Sequence, residues 1–128
     1  MALHTDTQIY RSTYDLTLLA TRLVANMPRN YKADFGADFR RQCFGLVRLV
    51  YKANTVGDKV RVLRDLREEV EATNLSARLA VDLRLISRGQ YAQLVALLDS
   101  IGKQSTGWLK HSEHALAAPS SRRSGQRA

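Results

Sequence analysis

Hydrophobic positions recur every three or four residues along most of the chain, most regularly near its C-terminal end. Ser87, Tyr91, Leu94, Leu98, Ile101, Ser105 and Trp108 step by four and three in alternation, the heptad spacing that lines one narrow face of a helix packing on other helices. The run opens with Ser87-Arg88-Gly89-Gln90, a capping box in which the Ser hydroxyl and the Gln amide satisfy N–H groups left without partners at a helix start. The pattern predicts a helix from Arg88 to about His111.

The same period marks three earlier helices. The first runs from about Thr7 to Met27 with a stripe of Ile9, Leu16, Leu19, Leu23 and Met27, and Pro28 ends it. A second, about Ala33 to Asn54, carries Phe35, Phe39, Gln42, Leu46, Val50 and Ala53. Residues 54–58 form a turn that places Asp58 as the N-cap of a third helix, Lys59 to about Ile86. In that helix Leu63, Leu66 and Val70 lie in one phase, and Leu75, Leu79, Leu83 and Leu85/Ile86 in another. Either it breaks near Thr73-Asn74 or its second half is apolar on two faces. No alternating run with a hairpin turn occurs. The expected fold is all-α, an antiparallel up-down-up-down four-helix bundle over residues 7–112. A flexible N-terminus at 1–6 and a disordered basic tail at 113–128 flank it.

Composition adds charge to this picture. At 128 residues the chain suits one domain, and 45% apolar residues suit a globular one. Twenty Lys+Arg stand against 12 Asp+Glu, a net +8. Arg outnumbers Lys 15 to 5, which favours phosphate or carboxylate partners that a planar guanidinium grips through two bonds. A small domain this basic most often meets nucleic acid. The single Cys43 excludes an internal disulfide framework and fits a reducing compartment. With no long apolar run and a polar start (His4, Thr5, Asp6), neither a membrane span nor a secretory signal is expected, which points to the cytoplasm.

Once each core stripe is assigned, the opposite faces remain. On the second helix Arg41, Arg48 and Lys52 fall within about 40° of one another at 100° per residue, with Phe44 and Tyr51 beside them. Cations that neutralise phosphates and rings that stack on unpaired bases suit nucleic acid; exposed aromatics equally suit a subunit interface. The first helix has a second stripe of Tyr10, Tyr14 and Leu18. Three helices with spare apolar faces exceed what one small bundle buries, so self-association is expected through Tyr10, Tyr14, Leu18, Phe44 and Tyr51. Arg61, Arg64 and Arg67 are offset by Asp65, Glu68, Glu69 and Glu71 in a face expected to be salt-bridged. Arg78, Arg84 and Arg88 are less balanced and join the candidate nucleic-acid contacts.

Catalytic patterns are missing. His111 and His114 flank Glu113 at a helix end without further ligands, so no metal site is expected. No Glu-x-x-His pair faces a bundle core, and the glycines form no phosphate-binding loop. Cys43 lies beside a core stripe and reads as a small buried hydrophobe. Neither an enzyme nor a cofactor is implied.

The ordered motifs Met27-Pro28-Arg29, Gly36 with Phe39, Ala53-Asn54, Leu79-Ala80, Ile86-Ser87, Tyr91, Ile101-Gly102 and Gly107-Trp108 resemble a bacterial four-helix family. It includes proteins encoded in intervening sequences of ribosomal RNA genes and Avd, the accessory variability determinant of diversity-generating retroelements. The charge, Arg bias and basic tail favour the Avd branch. The resemblance implies a homopentameric barrel in a bacterial cytoplasm, on a gene of host or phage origin. It also implies binding to nucleic acid (RNA, RNA–DNA hybrid or DNA) and to the element's reverse transcriptase during mutagenic copying of template RNA. The competing expectation is a protein–protein scaffold whose basic face meets an acidic partner.

Overall fold

The computed structural model describes residues 7–116, which form four long helices and no strand. Helix α1 spans Gln8–Ala25. Helix α2 is one rod in three consecutive pieces, Arg29–Tyr31, a π turn at Lys32–Gly36, and Ala37–Thr55. Helix α3 spans Lys59–Asp82 and α4 spans Arg88–Leu116. Each packs on its two neighbours in the ring α1, α2, α3, α4, and diagonal helices make no close backbone approach. Between α3 and α4 the paired residues run in opposite numerical order: Arg64 meets Glu113, and Val70 approaches Gly102.

The interior is one continuous cluster in which Leu16, Phe39, Leu46, Leu63, Leu66, Leu94, Leu98 and Ile101 are buried. Each such side chain contributes about 1.5–3 kcal/mol by leaving water. Three polar residues are also buried, and each returns its hydroxyl to its own helix: Thr13 to Ile9 O at 3.0 Å, Thr73 to Glu69 O at 2.7 Å, and Ser105 to Gly102 O at 2.9 Å. Their donors therefore cost little desolvation.

Helix ends follow local chemistry. Thr7 caps α1 by accepting from Tyr10 N at 3.3 Å. The capping box of α4 is fully formed: Gln90 N donates to Ser87 Oγ at 3.1 Å, and Ser87 N donates to Gln90 Oε1 at 2.8 Å. Asp58 occupies the N-cap position of α3, but its side chain makes no cap bond. Lys59 instead turns back, donating from Nζ to the carbonyls of Ala53 (2.7 Å) and Val56 (3.2 Å), which closes the C-terminal end of α2.

Three boundaries depart from expectation. Helix α2 begins at Arg29, not Ala33, because the Pro28 carbonyl already accepts from Tyr31 N and Lys32 N. The π turn that follows brings Gly36 against α1, where an added Cβ would lie 2.7 Å from Val24 Cγ1, closer than any real contact. Helix α3 stops at Asp82, not Ile86. Leu85 N donates to Ala80 O and Arg84 N to Val81 O, with Arg84 left-handed at φ 59°, which is a Schellman stop carrying Arg where glycine is usual. Finally, α4 continues in helical conformation through Leu116, past the expected end near His111. Leu109 is buried, and Glu113 reaches Arg64 at 2.9 Å. The expected flexible start at 1–6 and the rest of the expected tail, 117–128, lie outside the described residues.

Of the two outcomes open for the third helix, the structure takes the second. The helix is unbroken through Thr73-Asn74. Its core line continues in phase as Leu63, Leu66, Val70, Thr73, Ala77 and Ala80, all buried. Leu75, Leu79 and Leu83 therefore face outward, with Leu75 73% exposed.

Candidate nucleic-acid interface

The expected basic residues separate into two groups. Arg41, Arg48 and Lys52 lie exposed on the outer ridge of α2, opposite buried Phe39, Leu46 and Ala53. Phe44 and Tyr51, half exposed at 50% and 52%, alternate with them. The ridge steps Arg41, Phe44, Arg48, Tyr51, a second heptad seam on the far side of the helix from the core. Arg41 pairs with Asp38 one turn back, whereas neither Arg48 nor Lys52 has an ion pair among the described residues. Over its whole length α2 carries Arg29, Lys32, Arg40, Arg41, Arg48 and Lys52 against only Asp34 and Asp38.

The second group sits at the α3–α4 turn. Arg78, Arg84 and Arg88 border one open depression together with Ser87 and Tyr91. The Schellman stop swings Arg84 beside the first residue of α4, Arg88, and so gathers side chains distant along the helices. Arg78 is not the unbalanced charge expected of it, because Asp82 accepts from its Nε at 3.2 Å. That pair is well exposed and stabilises little.

Three of the five expected subunit-contact residues, Tyr10, Phe44 and Tyr51, lie at the basic ridge. Tyr10 and Tyr14 stack with ring centroids 6.0 Å apart. Tyr10 lines the same depression as Arg41, Phe44, Arg48, Tyr51 and Lys52. A neighbouring depression runs between Thr17 and Thr21 of α1 and Arg40, Phe44 and Arg48 of α2. Tyr14 and Leu18 remain largely exposed on α1. One surface thus carries residues expected in two roles.

Periodicity left Leu75, Leu79 and Leu83 open between a helix break and a second apolar face, and in the structure they are an uncovered stripe. Two further features carried no signal in the periodicity. Gly45 interrupts the α2 ridge, and an added Cβ there would meet nothing within 4 Å. A helix-interior glycine costs roughly 1 kcal/mol relative to Ala, and no internal contact requires this one. Gln42, expected in the core stripe, is half buried, and its Oε1 is a buried acceptor without a partner.

The acids of α3 do not form the expected intrahelical pairs with Arg61, Arg64 and Arg67; Arg64 reaches across to Glu113. His111 and His114 are exposed on α4, and no cluster of three or more metal-ligating side chains occurs among the described residues. Cys43 is fully buried, and burial pushes its thiol up to about 12. No helix among the described residues is long and apolar enough to cross a membrane.

No curated protein matches the chain. A family model described as bAvd-like matches residues 8–112, from the first residue of α1 to near the end of α4. The match takes in the whole helical ring and both basic groups, and by it the chain belongs to the bAvd-like family.

Proposed function

We propose that the protein is a non-enzymatic, oligomeric accessory of a retroelement reverse transcriptase that binds nucleic acid through the outer ridge of α2. Membership of the bAvd-like family supports the accessory role. The observation that carries the binding assignment is the ridge itself: Arg48 and Lys52 are exposed and have no ion pair among the described residues, beside half-exposed aromatic rings. Cations so placed release counterions when they meet phosphates. Arg84 and Arg88 at the α3–α4 turn, with Arg78, form a second basic contact. Straight helices with dispersed Arg place no reading element in a groove, so affinity is dominated by phosphate. The opposite numerical order of α3–α4 contacts supports an antiparallel up-down-up-down bundle.

Giving the α2 ridge to nucleic acid leaves Tyr14 and Leu18 on α1, and Leu75, Leu79 and Leu83 on α3, for contact between subunits. These two patches differ in sequence and in place, which favours head-to-tail association into a closed ring, of which the pentamer implied by the family resemblance is one. A scaffold reading is favoured by Phe44 and Tyr51, since exposed rings also suit a protein partner. Electrophoretic titration of a structured RNA across a salt series separates the readings. The wild type is expected to bind with log K falling linearly in log salt, and replacing Arg41, Arg48 and Lys52 together by Ala to reduce that slope by about two to three units. Absence of binding at low salt would leave only the scaffold.

A further inference from the structure

The α2 ridge is not continuous. At Gly45 it drops to the backbone, and the two depressions on either side of α2 both include this residue. The larger has a volume of about 820 Å³ and a mostly apolar lining that includes Phe44 and Tyr51, within the roughly 300–1,000 Å³ of small-ligand clefts. Gln42 lines the same depression, while its unpartnered Oε1 is turned away from it and buried. Gly107 on α4 is equally open to an added Cβ, but among the described residues it borders no depression that also holds aromatic rings and guanidinium groups.

We infer that the saddle at Gly45 seats one unpaired base of a single-stranded polynucleotide. This deepens the nucleic-acid reading of the ridge and rests on it. The occupant follows from charge and shape together. Arg48 and Lys52 border the saddle and call for phosphates, and the Phe44 and Tyr51 rings line the same depression with faces on which any base stacks. A duplex keeps its bases stacked inward and presents none of them to such a seat. The missing side chain at position 45 supplies the room.

The test uses the full chain with a fluorescent single-stranded 20-mer containing 2-aminopurine, as RNA and as DNA, and a duplex of the same length. Wild-type protein is expected to bind the single strands more tightly than the duplex and to change the 2-aminopurine fluorescence through stacking. Gly45→Leu fills the saddle without removing charge. It is expected to weaken single-strand binding roughly 5- to 150-fold, the equivalent of one stacked base, to abolish the fluorescence change, and to leave duplex binding unaltered. Gly45→Ala should act in the same direction, more weakly, while raising thermal stability, which separates a blocked seat from a damaged fold. Equal effects of Gly45→Leu on single strands and duplex, or none on either, overturn the seat while leaving the basic ridge in place. If the triple variant at Arg41, Arg48 and Lys52 also binds both forms like wild type, the nucleic-acid reading itself fails.

Discussion

The outer faces of α2 and α3 are both rich in arginine, yet they are built differently. On α2 the cations have few acids near them, and aromatic rings fill the gaps. On α3 the first half alternates Arg61, Arg64 and Arg67 with Asp65, Glu68, Glu69 and Glu71, and the second half carries the bare Leu75, Leu79 and Leu83. Interleaved acids cancel the field at a distance even where no ion pair closes, because charges separated by a helical turn lie within one Debye length. Counting arginines would rank the two faces as equals; local balance does not. Of these two faces α2 is the less compensated one, whereas the second half of α3 is apolar.

The sharpest way to break this comparison is to strip three arginines from α3 in parallel with the α2 variant. Arg61→Ala, Arg64→Ala and Arg67→Ala together should leave the RNA salt slope within about one unit of wild type, against a loss of about two to three units from α2. Equal losses in the same titration would remove the distinction. The next largest contrast is inside against outside on α3. Leu66→Ala should cost about 2–5 kcal/mol in urea unfolding, and Leu75→Ala less than about 0.5 kcal/mol in the dissociated protomer. Leu75→Glu with Leu79→Glu should instead lower the mass seen by light scattering, a result that would tie the stripe to subunit contact.

Smaller effects test the helix ends that bring the second basic group together. Arg84→Gly should raise stability by about 1 kcal/mol, since only glycine takes a left-handed backbone without strain, while weakening nucleic-acid binding by one phosphate contact. Ser87→Ala should lower stability by about 1 kcal/mol, and Asp58→Ala by no more than a few tenths, because only the first of these side chains makes a cap bond. Near neutral pH the smallest effect belongs to Cys43, which acts only in alkali. Folding favours its neutral thiol, so its contribution to stability is complete below pH 9.0. That contribution is withdrawn as pH rises toward about 12, as the unfolded chain ionises first. Alkylation at neutral pH should therefore proceed only as fast as the protein opens.

Much of the fold was legible because heptad spacing and the Ser87 capping box are local signals that packing did not override. Both departures in α2 and α3 have physical causes that residue periodicity does not carry. The π turn at Lys32–Gly36 adds a residue to one turn, so a stripe extrapolated through it loses phase. Helix α3 ends on Arg84 in a conformation that glycine normally announces, and no glycine stands there. The outer ridge of α2 could be read from phase alone. Gly45 and Gln42 could not, since one lacks a side chain and the other has an acceptor left unmatched only once the neighbours are in place. The leucines of α3 left two outcomes open in the sequence, and small Thr73, Ala77 and Ala80 decide between them by continuing the buried line, which turns the leucines outward.

The extra residue held in the π turn leaves the chain one residue of slack. A single deletion among residues 32–35 would let the rod settle into regular α-helix, with Arg29–Tyr31 and 37–55 keeping their faces because the wide turn already absorbs the extra residue. Length variation in a lineage would accordingly be tolerated here sooner than anywhere else along α2, and its cost would fall on the link to α1 rather than on the cationic ridge.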